Sequence, residues 1–144
     1  MPGIVNNYVK AANQVIVSNA LITIGLSAAI AANQTKKFRW WIPFTVGATG
    51  GMGLQIVVPA AGTAFIASIV LQNTVAPSTT LAAQAASAAF TNALANAGTH
   101  WVEVTATIVN GATAGTVDLQ MRQNTTDALT LTVLRGASLE DVIQ

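Results

Sequence analysis

The chain has 144 residues, 52% hydrophobic and 8% charged, with six Lys and Arg against five Asp and Glu, one His and no Cys. Soluble domains ordinarily carry about 25% charged residues, so this surface is short of the groups that hold folded chains apart. The length suits one domain with its own core. Zero cysteines exclude disulfides and thiolate metal sites, and a formal charge of +1 with one small basic cluster (Lys36, Lys37, Arg39) excludes a duplex nucleic-acid footprint. Three classes remain: a membrane protein, a protein with a hydrophobic leader, or a subunit covered by copies of itself or by a larger assembly.

Residues 1–14 are polar, with Asn6, Asn7, Asn13 and Gln14, and are expected to form an extended arm outside the core that can lie on a neighbour. Residues 15–144 are expected to be a single domain. Val15 to Ala32 is uncharged and has the length of a membrane span, but Ser18, Asn19, Thr23, Gly25, Ser27 and many alanines weaken it, and flanking basic and aromatic anchors are missing. No membrane span is expected. Ala29-Ile30-Ala31 has the form of a leader cleavage site, yet the opening MPGIVNNYVK has its lone lysine at Lys10 rather than a charged start.

From Phe38 onward, period-two alternation dominates, the pattern of strands with one buried face. Phe38, Trp40, Ile42, Phe44 and Val46 share one side of a strand that Pro43 marks as an edge or a bulge. Gly47 to Gly53 reads as a turn and Leu54 to Val58 as a strand ended by Pro59. Phe65 to Leu71 reads as a mostly buried strand. Residues 78–97 are alanine-rich and fit a helix or strand and loop equally. His100 to Val109 alternates around Val102, Val104 and Ile108, and Asn110-Gly111 signals a turn. Val117, Leu119 and Met121 then point inward, as do Leu129, Leu131 and Val133, before Arg135-Gly136 turns the chain into a last strand through Leu139 and Val142. Short strands at this spacing predict an antiparallel sandwich or barrel.

Few residues could carry chemistry. His100 is the only histidine, and at the start of a strand beside Trp101 it reads as a packing residue. No nucleophile elbow, phosphate loop or zinc helix motif is present. Glu103 and Asp118 could face one another across the Asn110-Gly111 connection, but both occupy the polar side of their strands and are expected to be solvated or paired with Arg122. Asp127 and Glu140-Asp141 lack a ligand-rich loop for a metal. No catalytic residue, cofactor or metal is expected, and the chain does not read as an enzyme. Trp40 and Trp41 are consecutive, so their indoles point to opposite faces of a strand. With Trp101, the outward indole could stack on a sugar ring; burial in a subunit contact is the favoured expectation, because the apolar excess calls for covered surface. Tyr8, Trp40, Trp41, Phe65, Phe90 and Trp101 are the candidate interface residues.

The block from Trp101 to Val142 resembles the C-terminal half of small jelly-roll proteins of tailed-bacteriophage particles. The features carrying the likeness are the strand ending in Asn110-Gly111, the small-residue loop to Gly115, the G-T-V-x-L-Q run from Gly115 to Gln120, the Gln123-Asn124-Thr125 turn, and V-L-x-G-A-S-L from Val133 to Leu139. Ala32-Asn33-Gln34-Thr35, the aromatic strand and the Leu54-to-Pro59 strand are similar more loosely. The alanine-rich residues 81–97 depart from the pattern.

The resemblance implies an all-β, antiparallel jelly-roll sandwich, a homotrimer and a virion structural role. Capsid decoration (cement) is the foremost expectation, with the trimer bound to the major capsid protein on the capsid surface of a particle assembled in the bacterial host cytoplasm. The alternative is a fibre or tail-tip adhesion module that binds a host surface glycan. Of the eleven charged residues, none lies between Trp40 and Thr99 and seven lie from Glu103 to Asp141. The uncharged middle is therefore expected to be covered and the C-terminal hairpins to meet water.

Overall fold

A computed structural model describes residues 4–47, 51–73, 90–93, 98–123 and 130–143. Among these residues the regular elements are eleven strands: β1 (Ile4–Val9), β2 (Gln14–Ile16), β3 (Ile22–Ile30), β4 (Thr35–Val46), β5 (Gly51–Val57), β6 (Thr63–Asn73), β7 (Phe90–Ala93), β8 (Gly98–Val109), β9 (Gly115–Gln123), β10 (Leu131–Val133) and β11 (Ser138–Ile143). None of the described residues is helical.

The strands form two antiparallel sheets. In the larger, β4 is central. It pairs along its whole length with β8, which pairs in turn with β6, and its other edge is shared by β11 and β10. Beyond these lie β1 on β11 and β2 on β10. The smaller sheet runs β3-β9-β5-β7. Successive strands therefore alternate between the sheets from β2 to β10, and none of them pairs with its immediate neighbour in sequence.

Strict alternation builds the core. The inward positions of β4 are Phe38, Trp40, Ile42, Phe44 and Val46, and all are buried, with the rings of Phe38 and Trp40 stacked at 5.6 Å. Opposite them stand Ile24, Leu26, Ile30, Leu54, Ile56, Val117, Leu119 and Met121 of the smaller sheet. Burial of such side chains, each worth about 1.5–3 kcal/mol, drives the two sheets together.

Two outer ribbons of the larger sheet are interrupted at matching heights. Residues 10–13 separate β1 from β2, and residues 134–137 separate β10 from β11. The gap is stitched by Lys10 N–H to Ala137 O (2.8 Å), Gly136 N–H to Lys10 O (2.9 Å) and Arg135 N–H to Asn13 Oδ1 (2.8 Å). Gly136 adopts φ 87°, a conformation that favours glycine.

Several expectations change. Pro43 is neither at an edge nor at a bulge: it sits inside the central strand, opposite Trp101. Its carbonyl accepts from Leu134 N–H (2.9 Å), so its missing N–H faces Leu134 O just past the end of β10, and that carbonyl accepts instead from Ala137 N–H (3.3 Å) in the turn to β11. Asn110-Gly111 does not close a hairpin but carries the chain from one sheet to the other. The strand through Phe65 lies beyond β8, with Ala64, Ile69 and Leu71 buried and Phe65 exposed. The N-terminal residues expected as an arm contribute β1, hydrogen-bonded along β11, although Asn6 to Val9 remain outside the core. Val15 to Ala32 becomes β3 and part of β2, and no helix among the described residues is long and apolar enough to cross a membrane. Of residues 78–97, Phe90–Ala93 form a strand, and the rest, like Leu129, lie outside the described residues.

Candidate functional site

The outward face of the larger sheet is where the exposed apolar side chains gather, and the ladder registers order them into three groups. At the N-terminal edge Val9, paired with Ser138, and Val15, paired with Thr132, point outward, and Val17 follows two residues on. They are 60, 58 and 70% exposed, an unusual run of open valines. At the opposite edge Thr63 pairs with Val109 and Phe65 with Thr107, which brings Phe65 (57% exposed) and Val109 (42%) together diagonally.

Between these edges lie Trp41 and Trp101. Trp41 pairs with Glu103 and Pro43 with Trp101, so the two indoles are diagonal neighbours across β4 and β8, with centroids 6.5 Å apart and planes tilted by 41°. Trp41 is 39% exposed and Trp101 half-buried. Beside them Arg39 donates to Glu103 Oε2 at 2.9 Å. That bond, then the charge of Glu103 and the lesser one of Glu140, raises the Arg39 pKa above its usual value. The registers put Ser138 next to Trp41 on β11 and Gln72 next to Trp101 on β6.

The other expected interface residues fall elsewhere. Trp40 is fully buried between the sheets, its Nε1–H directed at Leu26 O (3.5 Å). Tyr8 is at the inward side of the β1 edge, opposite Leu139, and partly exposed. Phe90 opens β7 opposite Leu54, and its side chain lies outside the described residues. The open valines were missed by sequence reasoning, although Val15-Ile16-Val17 carries the alternation that signals them.

The groups considered for catalysis do not assemble. Glu103 and Asp118 lie in different sheets. Glu103 takes Arg39 rather than Arg122, and Asp118 accepts from Ser27 on β3. His100 is fully buried against the Phe44 ring, with centroids 5.6 Å apart. Among the described residues no three His, Asp or Glu side chains converge on a point that could hold a metal ion.

Two polar clusters organise the ends of the sandwich. At one, Asn110 Nδ2 donates to Ala31 O and Thr113 O (both 2.8 Å) while its backbone N–H donates to Gln34 O, tying together the β3–β4 and β8–β9 loops. At the other, Lys10 Nζ donates to Ile24 O (2.6 Å) and Gln14 Oε1 (2.8 Å), and Gln14 Nε2 donates to Thr23 O (3.0 Å), which bolts the N-terminal ribbon to β3 of the smaller sheet. No protein-family model matches the chain, and no curated protein matches it.

Proposed function

We propose that the chain is a structural protein of a tailed-bacteriophage particle, a homotrimeric jelly roll that decorates the outer capsid and stabilises the junctions between major capsid subunits. The jelly-roll reading is supported by the strand order. One sheet holds the ribbons β1/β2, β10/β11, β4 and β8, the other β3, β9, β5 and β7, and β6 is an addition beyond β8. That order is consistent with a double-sheet jelly roll to which one strand has been added.

The observation that carries the assembly is the placement of two exposed apolar patches at opposite edges of one sheet. A closed ring needs two different patches on each copy, one for either neighbour, whereas a two-fold dimer needs only one. Val9, Val15 and Val17 form the first patch, and Phe65 and Val109 the second. Contact between them buries apolar surface at roughly 25 cal/mol per Å2, and repetition of such trimers around a shell multiplies modest contacts into a stable lattice. The low charge content removes the repulsion that would oppose this packing.

Quantitative mass spectrometry of purified particles tests the reading. A copy number comparable to that of the major capsid protein is expected. Absence of the chain from particles would overturn it, and a few copies per particle would move it to a fibre or tail.

A further inference from the structure

The edge patches leave the middle of the same face unassigned, and its chemistry differs from theirs. We propose that Trp41 and Trp101, with the Arg39–Glu103 pair, form a binding site for a neutral saccharide. Trp40 already fills the core, so the outward indoles are not needed for it. A centroid separation of 6.5 Å and a tilt of 41° mean that the two rings do not cover one another. Their electron-rich faces attract the slightly positive C–H groups of a pyranose ring.

Charge decides between ligand classes. Stacking platforms for single-stranded nucleic acid combine aromatic rings with an unbalanced positive groove. Here Lys37 and Arg39 on the face are balanced by Glu103 and Glu140, and Arg39 is held by Glu103. A polyanion finds no net attraction. A second protein surface laid over the indoles would desolvate the Arg39–Glu103 pair, and charged groups are depleted from interface centres for that reason. A saccharide avoids the cost, because each hydroxyl both donates and accepts: Glu103 can accept a hydrogen bond from one hydroxyl while Arg39 donates to a neighbouring oxygen. Ser138 and Gln72 extend the row of neutral hydrogen-bonding groups on either side.

The inference does not depend on the virion reading, since sugar binding by a chain absent from particles would leave it intact. The test titrates the full chain with cellohexaose, maltohexaose, chitohexaose and mannohexaose, followed by calorimetry and tryptophan fluorescence. At least one is expected to bind, with affinity reduced roughly tenfold or more in Trp41→Ala and in Trp101→Ala. Emission from buried Trp40 reports that the variants remain folded. Should an alanine variant lose that signal, Trp41→Phe and Trp101→Phe carry the test with a smaller loss. Failure of all four sugars to bind, or binding unchanged in the folded variants, would overturn the proposal. So would conversion of the assembly to single chains by these substitutions, which would make the indoles a subunit contact.

Discussion

Lys36 on β4 and Asp141 on β11 form an ion pair inside the sandwich, Nζ to Oδ2 at 3.1 Å, with both side chains buried. Lys36 Nζ also donates to Ala29 O on β3 (3.0 Å), and Asn6 Nδ2 on β1 reaches the same Asp141 oxygen at 3.4 Å. One pair thus links four strands, three in the larger sheet and one in the smaller. Asp141 Oδ1 is buried with no hydrogen-bond partner among the described residues.

Breaking this pair from one side leaves an uncompensated charge in the interior. Lys36→Met or Asp141→Leu alone should cost about 3–5 kcal/mol, whereas the double variant should recover most of the loss. Urea unfolding of the three variants measures this, and equal losses in the single and double variants would refute it.

Gly111 and Gly53 are both crowded, with opposite consequences for an added methyl group. A Cβ at Gly111 would stand 2.7 Å from Ala61 O and 2.9 Å from Ala61 Cβ, in the backbone of a packed loop; at Gly53 its nearest neighbours are Nε and Cγ of Arg122, a side chain that can swing away. Gly111→Ala should therefore destabilise by roughly 1–3 kcal/mol and Gly53→Ala by clearly less. Thermal unfolding that ranks them the other way would contradict the packing account.

Burial lowers the Lys10 pKa from its ordinary 10.5. Between the lowered value and 10.5 the unfolded chain holds a proton that the folded chain has released, so stability should rise with pH across that window and the desolvation penalty should fade. Lys10→Met should lack this rise. Urea midpoints of both proteins measured from neutral pH towards 10.5 check the sign.

A head-to-tail ring makes a distinctive prediction for mixtures. Val15→Glu damages one edge and Phe65→Glu the other, so each alone should give single chains. Mixed in equal amounts, they retain one intact junction per pair and should form heterodimers but no trimers. Light scattering after size exclusion reads the outcome, and a dimer of Phe65→Glu alone would indicate a two-fold contact instead.

Much of the sandwich is legible in the residues because period two is a local property. Phe38 to Val46, Val102 to Ile108 and Val117 to Met121 show their buried faces before any fold is known. Which sheet a strand joins is not local. Asn110-Gly111 signals a reversal, but the crossing between sheets depends on the bonds from the Asn110 side chain to Ala31 and Thr113. The Trp41–Trp101 neighbourhood depends likewise on the two-residue offset that sets Trp41 against Glu103. Pro43 reads locally as an edge or a bulge because its tolerance inside β4 rests on the Leu134–Ala137 turn, about ninety positions later in the chain.

That neighbouring ribbon has a consequence for synthesis. β10 and β11 are threaded between β4 on one side and β1 and β2 on the other, so an N-terminal ribbon emerging from the ribosome has no partner strand until the last segment of the chain follows it. With successive strands from β2 to β10 in opposite sheets, no hairpin can form early and wait. Folding should be a single late event, slow by the measure of its distant pairings, and in the finished molecule only edge strands, such as β1, β2, β6 and β7, can detach without breaking a sheet in two.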